Sequence, residues 1–193
     1  YISDGKRRDF WVYVDPRDDV AVHNIRVTKK FCSLPQQGRN NLLFIPNPDY
    51  NADFLGFFQS NLLRNYIADY HLERYRIKNF CNFPSRLESI FLFDSLEDAG
   101  KYKDQNAEHV GQRKLMKAYA SGSYVYSRHD STWIDFMRLK HSLDQETLDF
   151  CCQAYWSGGD TTSHQLISRG KPWVSTPVYE CLLLGFITFY EMI

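Results

Sequence analysis

The last stretch of the chain, from Pro177-Val-Tyr-Glu180 to Phe189-Tyr-Glu-Met-Ile193, constrains the fold more than any other segment. It is almost wholly apolar and aromatic, with one break at Gly185, and reads as two apolar strands meeting in a rigid hairpin. Glu180 stands at the entrance of the first strand. A carboxylate in that position is either a solvated strand end or a group held rigidly for chemistry.

A segment far upstream bears on that choice. It runs Phe83-Pro-Ser-Arg-Leu-Glu-Ser-Ile-Phe-Leu-Phe-Asp-Ser-Leu-Glu-Asp-Ala-Gly-Lys-Tyr102. Residues 89–93 form a short apolar run suited to a buried strand. Asp94 or Ser95 then caps a helix whose apolar positions Leu96, Ala99 and Tyr102 recur at helical spacing. This strand, cap and helix, with Ala and Tyr three apart, resembles the unit that lines the NAD pocket of ADP-ribosyltransferases. The closing Glu-x-Leu strand, its turn and the last strand resemble the family's final strands, where its catalytic glutamate sits. The resemblance covers about 83–102 and 151–193, and more weakly 20–30. The combination of Pro84-Ser-Arg86, Tyr155-Trp-Ser-Gly158 and Pro177-Val-Tyr-Glu180 is similar to a poorly characterised bacterial branch of ADP-ribosyltransferase-like folds.

The resemblance implies an α+β fold with two small antiparallel sheets around an NAD cleft and packed helices. It implies an NAD-dependent mono-ADP-ribosyltransferase that uses NAD as substrate and modifies a macromolecular acceptor, nucleic acid or protein. Toxins, effectors and phage-defence proteins are of this kind, and a toxin implies a neutralising antitoxin or other protein partner. The alternative is a transferase-like module without turnover, which binds a nucleotide or a partner protein.

The chemistry asks for few groups. Breaking the bond between nicotinamide and ribose passes through an oxocarbenium-like transition state, which a carboxylate stabilises. Nicotinamide leaves from a cation and needs no protonation, so one carboxylate suffices, and Glu180 is the candidate. By the resemblance, Arg86 pairs with the NAD pyrophosphate through a bidentate contact. Ser85 or Ser89 then hydrogen-bonds the nicotinamide ribose, and Tyr102 stacks on nicotinamide. The structural alternatives are an ion pair between Arg86 and Glu88 or another acid, and core packing for Tyr102. The family also opens its core with a strand whose His or Arg holds the adenosine ribose. Residues 20–28 alternate with the period of a half-buried strand, so His23 shares a face with Ala21, Ile25 and Val27 while Arg26 lies on the other. Both remain candidates, and a core role for His23 stands beside them. Two features depart from the family pattern. No Ser-Thr-Ser triplet precedes the pocket strand, and Val178 occupies the place two before Glu180 where a polar residue often accompanies modification of Arg side chains.

Composition sets the remaining bounds. With 193 residues, 44% hydrophobic and 16% aromatic, the chain suits one globular domain over 1–193. Lys plus Arg and Asp plus Glu number 23 each. A general electrostatic grip on nucleic acid is therefore unsupported, and only a local basic patch is left open. Cys32, Cys81, Cys151, Cys152 and Cys181 form no CxxC pair and are odd in number, which points to a reducing, cytoplasmic setting. The histidines lack metal-ligand spacing, so no metal site is expected. No apolar run approaches the roughly 20 residues of a membrane span. The sequence begins at Tyr1 rather than Met, leaving open a preceding segment.

Along the rest of the chain, Phe10–Val14 reads as a strand, 33–41 as a loop and Leu42–Ile45 as a short strand. A long helix is expected over 53–79, capped by Asp49 or Asn51, and a polar helix over 106–117. Ser123–Ser127 reads as a strand, 128–132 as a polar knot and 133–137 as an apolar run. A helix capped by Asp144 carries Leu148, Cys151, Cys152 and Tyr155 inward, followed by a flexible glycine-bearing loop at 157–163.

Overall fold

The computed structural model describes residues 5–33, 57–139 and 143–191. The expected loop beyond Ser33, the strand at 42–45 and the cap and start of the long helix at 49–56 lie outside the described residues. The fold is α+β, with small antiparallel sheets and several helices. The chain divides into two compact units: Tyr1–Arg39, Phe83–Arg128 and Val178–Ile193 form one, and Asn40–Asn82 and His129–Pro177 form the other.

The first unit holds two sheets. In the larger, β1 (Arg8–Val14) pairs antiparallel with β4 (Lys114–Ala120), β4 with β9 (Phe186–Phe189), and β9 with β2 (Lys30–Cys32). In the smaller, β8 (Tyr179–Leu184) lies between β3 (Ile90–Leu92), to which it is antiparallel, and β5 (Val125–Asp130). Strand alternation on β1 turns Phe10, Val12 and Val14 inward. They share a core with Ile90, Leu92, Leu183 and Ile187 of the other strands and with Ile25. Paired hydrogen bonds between the backbones of Trp11 and Phe93 (2.7 and 2.8 Å) link β1 to the end of β3.

Three expectations are corrected here. The closing strands do not form a hairpin: β8 pairs within the small sheet, and β9 pairs with β4 and β2 in the large one. Gly185 is the corner at which the chain changes sheets. Its φ is 143°, and a Cβ there would stand 2.8 Å from Tyr124 Cβ, so glycine alone fits the corner. Ser33 secures the corner, its N–H donating to Gly185 O and its Oγ accepting from Gly185 N, both at 3.0 Å.

Residues 20–28 are helical. Helix α1 (Asp19–Thr28) buries Ala21, Val22 and Ile25 on one stripe and leaves His23, Arg26 and Val27 exposed. Asp18 Oδ1 accepts from Ala21 N (3.0 Å), an N-cap that overrides the strand-like alternation of β-branched residues. The polar helix expected over 106–117 is a short turn of helix, α4 (Ala107–Val110), followed by β4. β4 is built from Lys, Leu, Met and Ala, good helix formers in isolation, but partners on both edges satisfy its backbone as a strand.

The strand–cap–helix unit forms as expected. Ser95 caps α3 (Leu96–Gln105), its Oγ accepting from Asp98 N (3.0 Å) and donating to Asp98 Oδ2 (2.8 Å). Along α3, Ala99 is buried and Tyr102 half-buried, whereas Leu96 is exposed.

The second unit contains α2 (Phe57–Asn79), α5 (Thr132–Met137), α6 (Gln145–Ser157) and a hairpin of β6 (Leu166–Ser168) with β7 (Lys171–Trp173). Asp144 Oδ1 caps α6 through Thr147 N (2.7 Å), and Cys151, Cys152 and Tyr155 point inward as expected, whereas Leu148 is only half-buried. Trp156 Nε1 donates to Leu72 O (2.9 Å), fastening α6 to α2. Gly158, in the left-handed region, ends α6. The loop after it is pinned by Asp130, whose carboxylate accepts from the N and Oγ1 of both Thr132 and Thr161 at 2.6–3.0 Å. Among the described residues no helix is long and apolar enough to cross a membrane.

Candidate functional site

Alternation along β8 sends Tyr179, Cys181 and Leu183 to one face and Glu180, Leu182 and Leu184 to the other. Cys181 and Leu183 face the core shared with the large sheet, so Glu180 and Leu182 take the opposite side, where Phe91 of β3 also lies. Glu180 is 5% exposed and forms an ion pair, through its Oε1, with Nη1 of Arg86, itself 6% exposed. The Arg86 guanidinium also stands over the Phe91 ring, 4.9 Å from its centroid. Two segments 94 residues apart in sequence thus meet through a buried carboxylate and a buried cation.

The turn that presents Arg86 is closed by its own serines. Ser85 O accepts from Ser89 N (3.0 Å) and Ser89 Oγ (2.6 Å), and Ser85 Oγ accepts from Leu87 N (3.2 Å). Both hydroxyls shape the backbone that aims Arg86 at Glu180. Tyr102 stands in an aromatic cluster, its ring 5.2 Å from Phe93 and 6.4 Å from Tyr13, so core packing is its structural role. The placement of His23 and Arg26 on the exposed side of α1 changes the premise on which they were singled out, since no strand carries them. Among the described residues no hydrogen bond or ion pair links either to Glu180.

Beside the pair lies a cluster that sequence reading did not assemble. The Arg128 guanidinium covers the Tyr179 ring at 3.7 Å from its centroid and bridges Asp94 (3.1 Å) and Asp98 (3.3 Å). Asp98 also accepts from Tyr179 N (3.4 Å), which ties the start of β8 to the first turn of α3. Burial works against the Arg128 charge, but Asp94 and Asp98 outweigh it and hold its pKa above the usual guanidinium value. The polar run at 128–132 was the sequence signal; its partners were not in it.

Cys151 and Cys181 are deeply buried. Burial pushes the Cys151 thiol up to about 12 and the Cys181 thiol well above its usual value, so both are inert as nucleophiles. Among the described residues no group of His, Cys, Asp and Glu is arranged to hold a metal ion. In the second unit, a cavity of about 180 Å³ lies between α2 and α6, with Arg74 and Lys78 on one side and Asp149 on the other.

A family model described as "protein of unknown function (DUF2441)" matches residues 27–193, a range that includes Arg86, Arg128 and Glu180. No curated protein matches the chain.

Proposed function

We propose an activity for this chain, which belongs to the DUF2441 family: the transfer of ADP-ribose from NAD to a macromolecular acceptor, with Glu180 as the catalytic carboxylate. The observation that carries the reading is the buried Arg86–Glu180 pair, because it joins the two segments whose sequence resembles ADP-ribosyltransferases. In this reading the bond between nicotinamide nitrogen and ribose carbon breaks with its electron pair leaving on nicotinamide. An acceptor nucleophile then bonds the ribose carbon and gives up its proton. Glu180 lowers the energy of the cationic ribose between these events, and the low-dielectric surroundings of a carboxylate 5% exposed strengthen that effect.

Arg86 has a definite part in the proposal. A carboxylate bound to a guanidinium is largely neutralised and stabilises a new cation poorly. The NAD pyrophosphate offers Arg86 a second anion, and exchange of partners releases Glu180 from the guanidinium as the substrate arrives. Arg86 thereby holds the site together before NAD binds and couples its activation to binding. The cytoplasm, with its NAD pool, is the setting this activity implies.

A second reading is favoured by a specific observation: Arg86 and Glu180 are both buried, and His23 and Arg26 lie on the exposed side of a helix. That pattern fits a module which uses the pair for stability and binds a nucleotide or partner protein without turnover. Titration calorimetry with NAD, with nicotinamide release followed in the same samples, separates the readings. Binding with release, labelling of a macromolecule in lysate by labelled NAD, and loss of labelling in a folded Glu180→Gln protein support the transferase. Binding without release supports the module, and absence of NAD binding overturns the transferase.

A further inference from the structure

The outer face of the large sheet carries a set of side chains that the proposed activity does not use. Directly paired residues in antiparallel strands share a face, so Lys117, Tyr119, Thr188 and Lys30 lie on one side of the sheet, opposite the core. At the β1 end this face is covered where Trp11, Tyr13 and Leu115 pack around Phe93 and Ala99. Toward β9 it is open: Phe186 is 48% and Tyr190 39% exposed.

Cations and rings alternate across the open part. The Arg7 guanidinium lies 3.9 Å from the Tyr119 ring centroid and donates to Tyr190 Oη (2.7 Å). Lys117 Nζ stands 5.2 Å from the Tyr190 centroid, and the Tyr119 and Tyr190 rings are 5.2 Å apart. Asp9 holds the arrangement, accepting from Tyr190 Oη (2.6 Å) and pairing with Lys117 (2.9 Å). Arg7, Lys30 and Lys117 against Asp9 leave this face cationic in a chain whose basic and acidic residues balance at 23 each. The charge is therefore local, and it is interleaved with flat rings, of which Tyr190 is preset by hydrogen bonds to Arg7 and Asp9.

We propose that this face binds single-stranded nucleic acid, the rings of Tyr190 and Phe186 stacking on unpaired bases and Arg7, Lys30 and Lys117 meeting the phosphates. Adjacent strands stand about 4.8 Å apart, and a four-stranded sheet of that width accepts two or three stacked bases. Base stacking needs exposed rings at fixed positions and cations within reach of the backbone, and both are present. A protein partner explains the rings but not the excess of cations among them. Duplex nucleic acid offers phosphates but no exposed base faces.

The inference stands apart from NAD chemistry, and its test uses none. A dye-labelled oligothymidylate of about 10 nucleotides is titrated with the full chain and followed by fluorescence anisotropy, beside a duplex of equal length. The expected result is saturable binding of the single strand and weaker binding of the duplex. Tyr190→Ala weakens it about fivefold or more, while Tyr190→Phe, which keeps the ring, retains it. Lys30→Gln and Lys117→Gln each lower the slope of log affinity against log salt by about one. Circular dichroism establishes that each variant is folded. Lack of binding, preference for the duplex, or affinity indifferent to Tyr190→Ala and both lysine variants overturns the proposal.

Discussion

Two buried carboxylates divide the chemistry of this molecule. Asp130, in the second unit, is 0% exposed and accepts from the backbone and hydroxyls of Thr132 and Thr161. Glu180, in the first, is 5% exposed and faces the guanidinium of Arg86. Neutral donors, two of them backbone amides, hold Asp130 in place, so it is a structural knot that sets the path of the 158–163 loop. A guanidinium on a side chain can exchange one anion for another, and in the proposed activity the NAD pyrophosphate is that second anion. The contrast separates a carboxylate held by neutral donors around a loop from one held by a cation, the feature on which the proposed activity rests.

The largest effect is expected from splitting the ion pair. Glu180→Ala removes the acid paired with the buried Arg86 cation and costs about 3–5 kcal/mol of stability in urea unfolding. The double variant Arg86→Met, Glu180→Met removes both charges and recovers most of that loss. If Glu180→Ala is as stable as the parent, the pair is not held as the structure has it.

Asp130→Asn tests the other side. The amide replaces one accepting oxygen with a donor that confronts a threonine N–H and hydroxyl, and hydrogen bonds to a charged group contribute about 1.5–3 kcal/mol. A destabilisation of that size is expected, with Trp133 fluorescence reporting the loop, because Trp133 Nε1 donates to Gly159 O (2.8 Å). Unlike the ion pair, this knot has no partner variant that restores it; rescue by an apolar pair at 130 and 161 removes the distinction.

The smallest effect concerns pH. Hydrogen bonds from Thr162 and Ser163 hold the Asp160 carboxyl below its usual range. A depressed carboxylate contributes stability that is complete above its unfolded value near 3.9 and lost as pH falls through the lower folded value. The Ser163 amide resonance is expected to move only below about pH 4, and in Asp160→Asn not to move in that window. A midpoint above the ordinary aspartate value contradicts the cap.

Much of the local structure was legible before any coordinates. Asp94 or Ser95, and Asp144, announce their helices through cap chemistry that acts within a few residues, the structure choosing Ser95, and most of the inward set on α6 follows from its period. The errors share a cause. Alternating β-branched residues at 20–28 imitate a strand until the Asp18 cap commits them to a helix, and helix-forming residues at 114–120 become a strand between two partners. The candidate site was legible in part: Glu180 and the Ser85-Arg86 turn were expected to converge, but their direct ion pair was not foreseen, since Glu88 or a nearby acid was the expected structural partner of Arg86. The Arg128, Asp94, Asp98 and Tyr179 cluster went unread because its members come from three separate segments.

The sequence by itself determined features that close over a few residues: a cap at Asp94 or Ser95 before α3, the Asp144 cap of α6 with most of its inward face, the break at Gly185 and the balance of charge. Tertiary structure alone decided which sheet each closing strand joins, that Gly185 is a corner between sheets, and that Arg86 meets Glu180. The reason is the range of the forces. Caps and periodicity act between neighbours along the chain, whereas strand partners and buried ion pairs are chosen by burial and by satisfaction of backbone and charge across 94 or more residues, as for Arg86 with Glu180 and for Ser33 with Gly185.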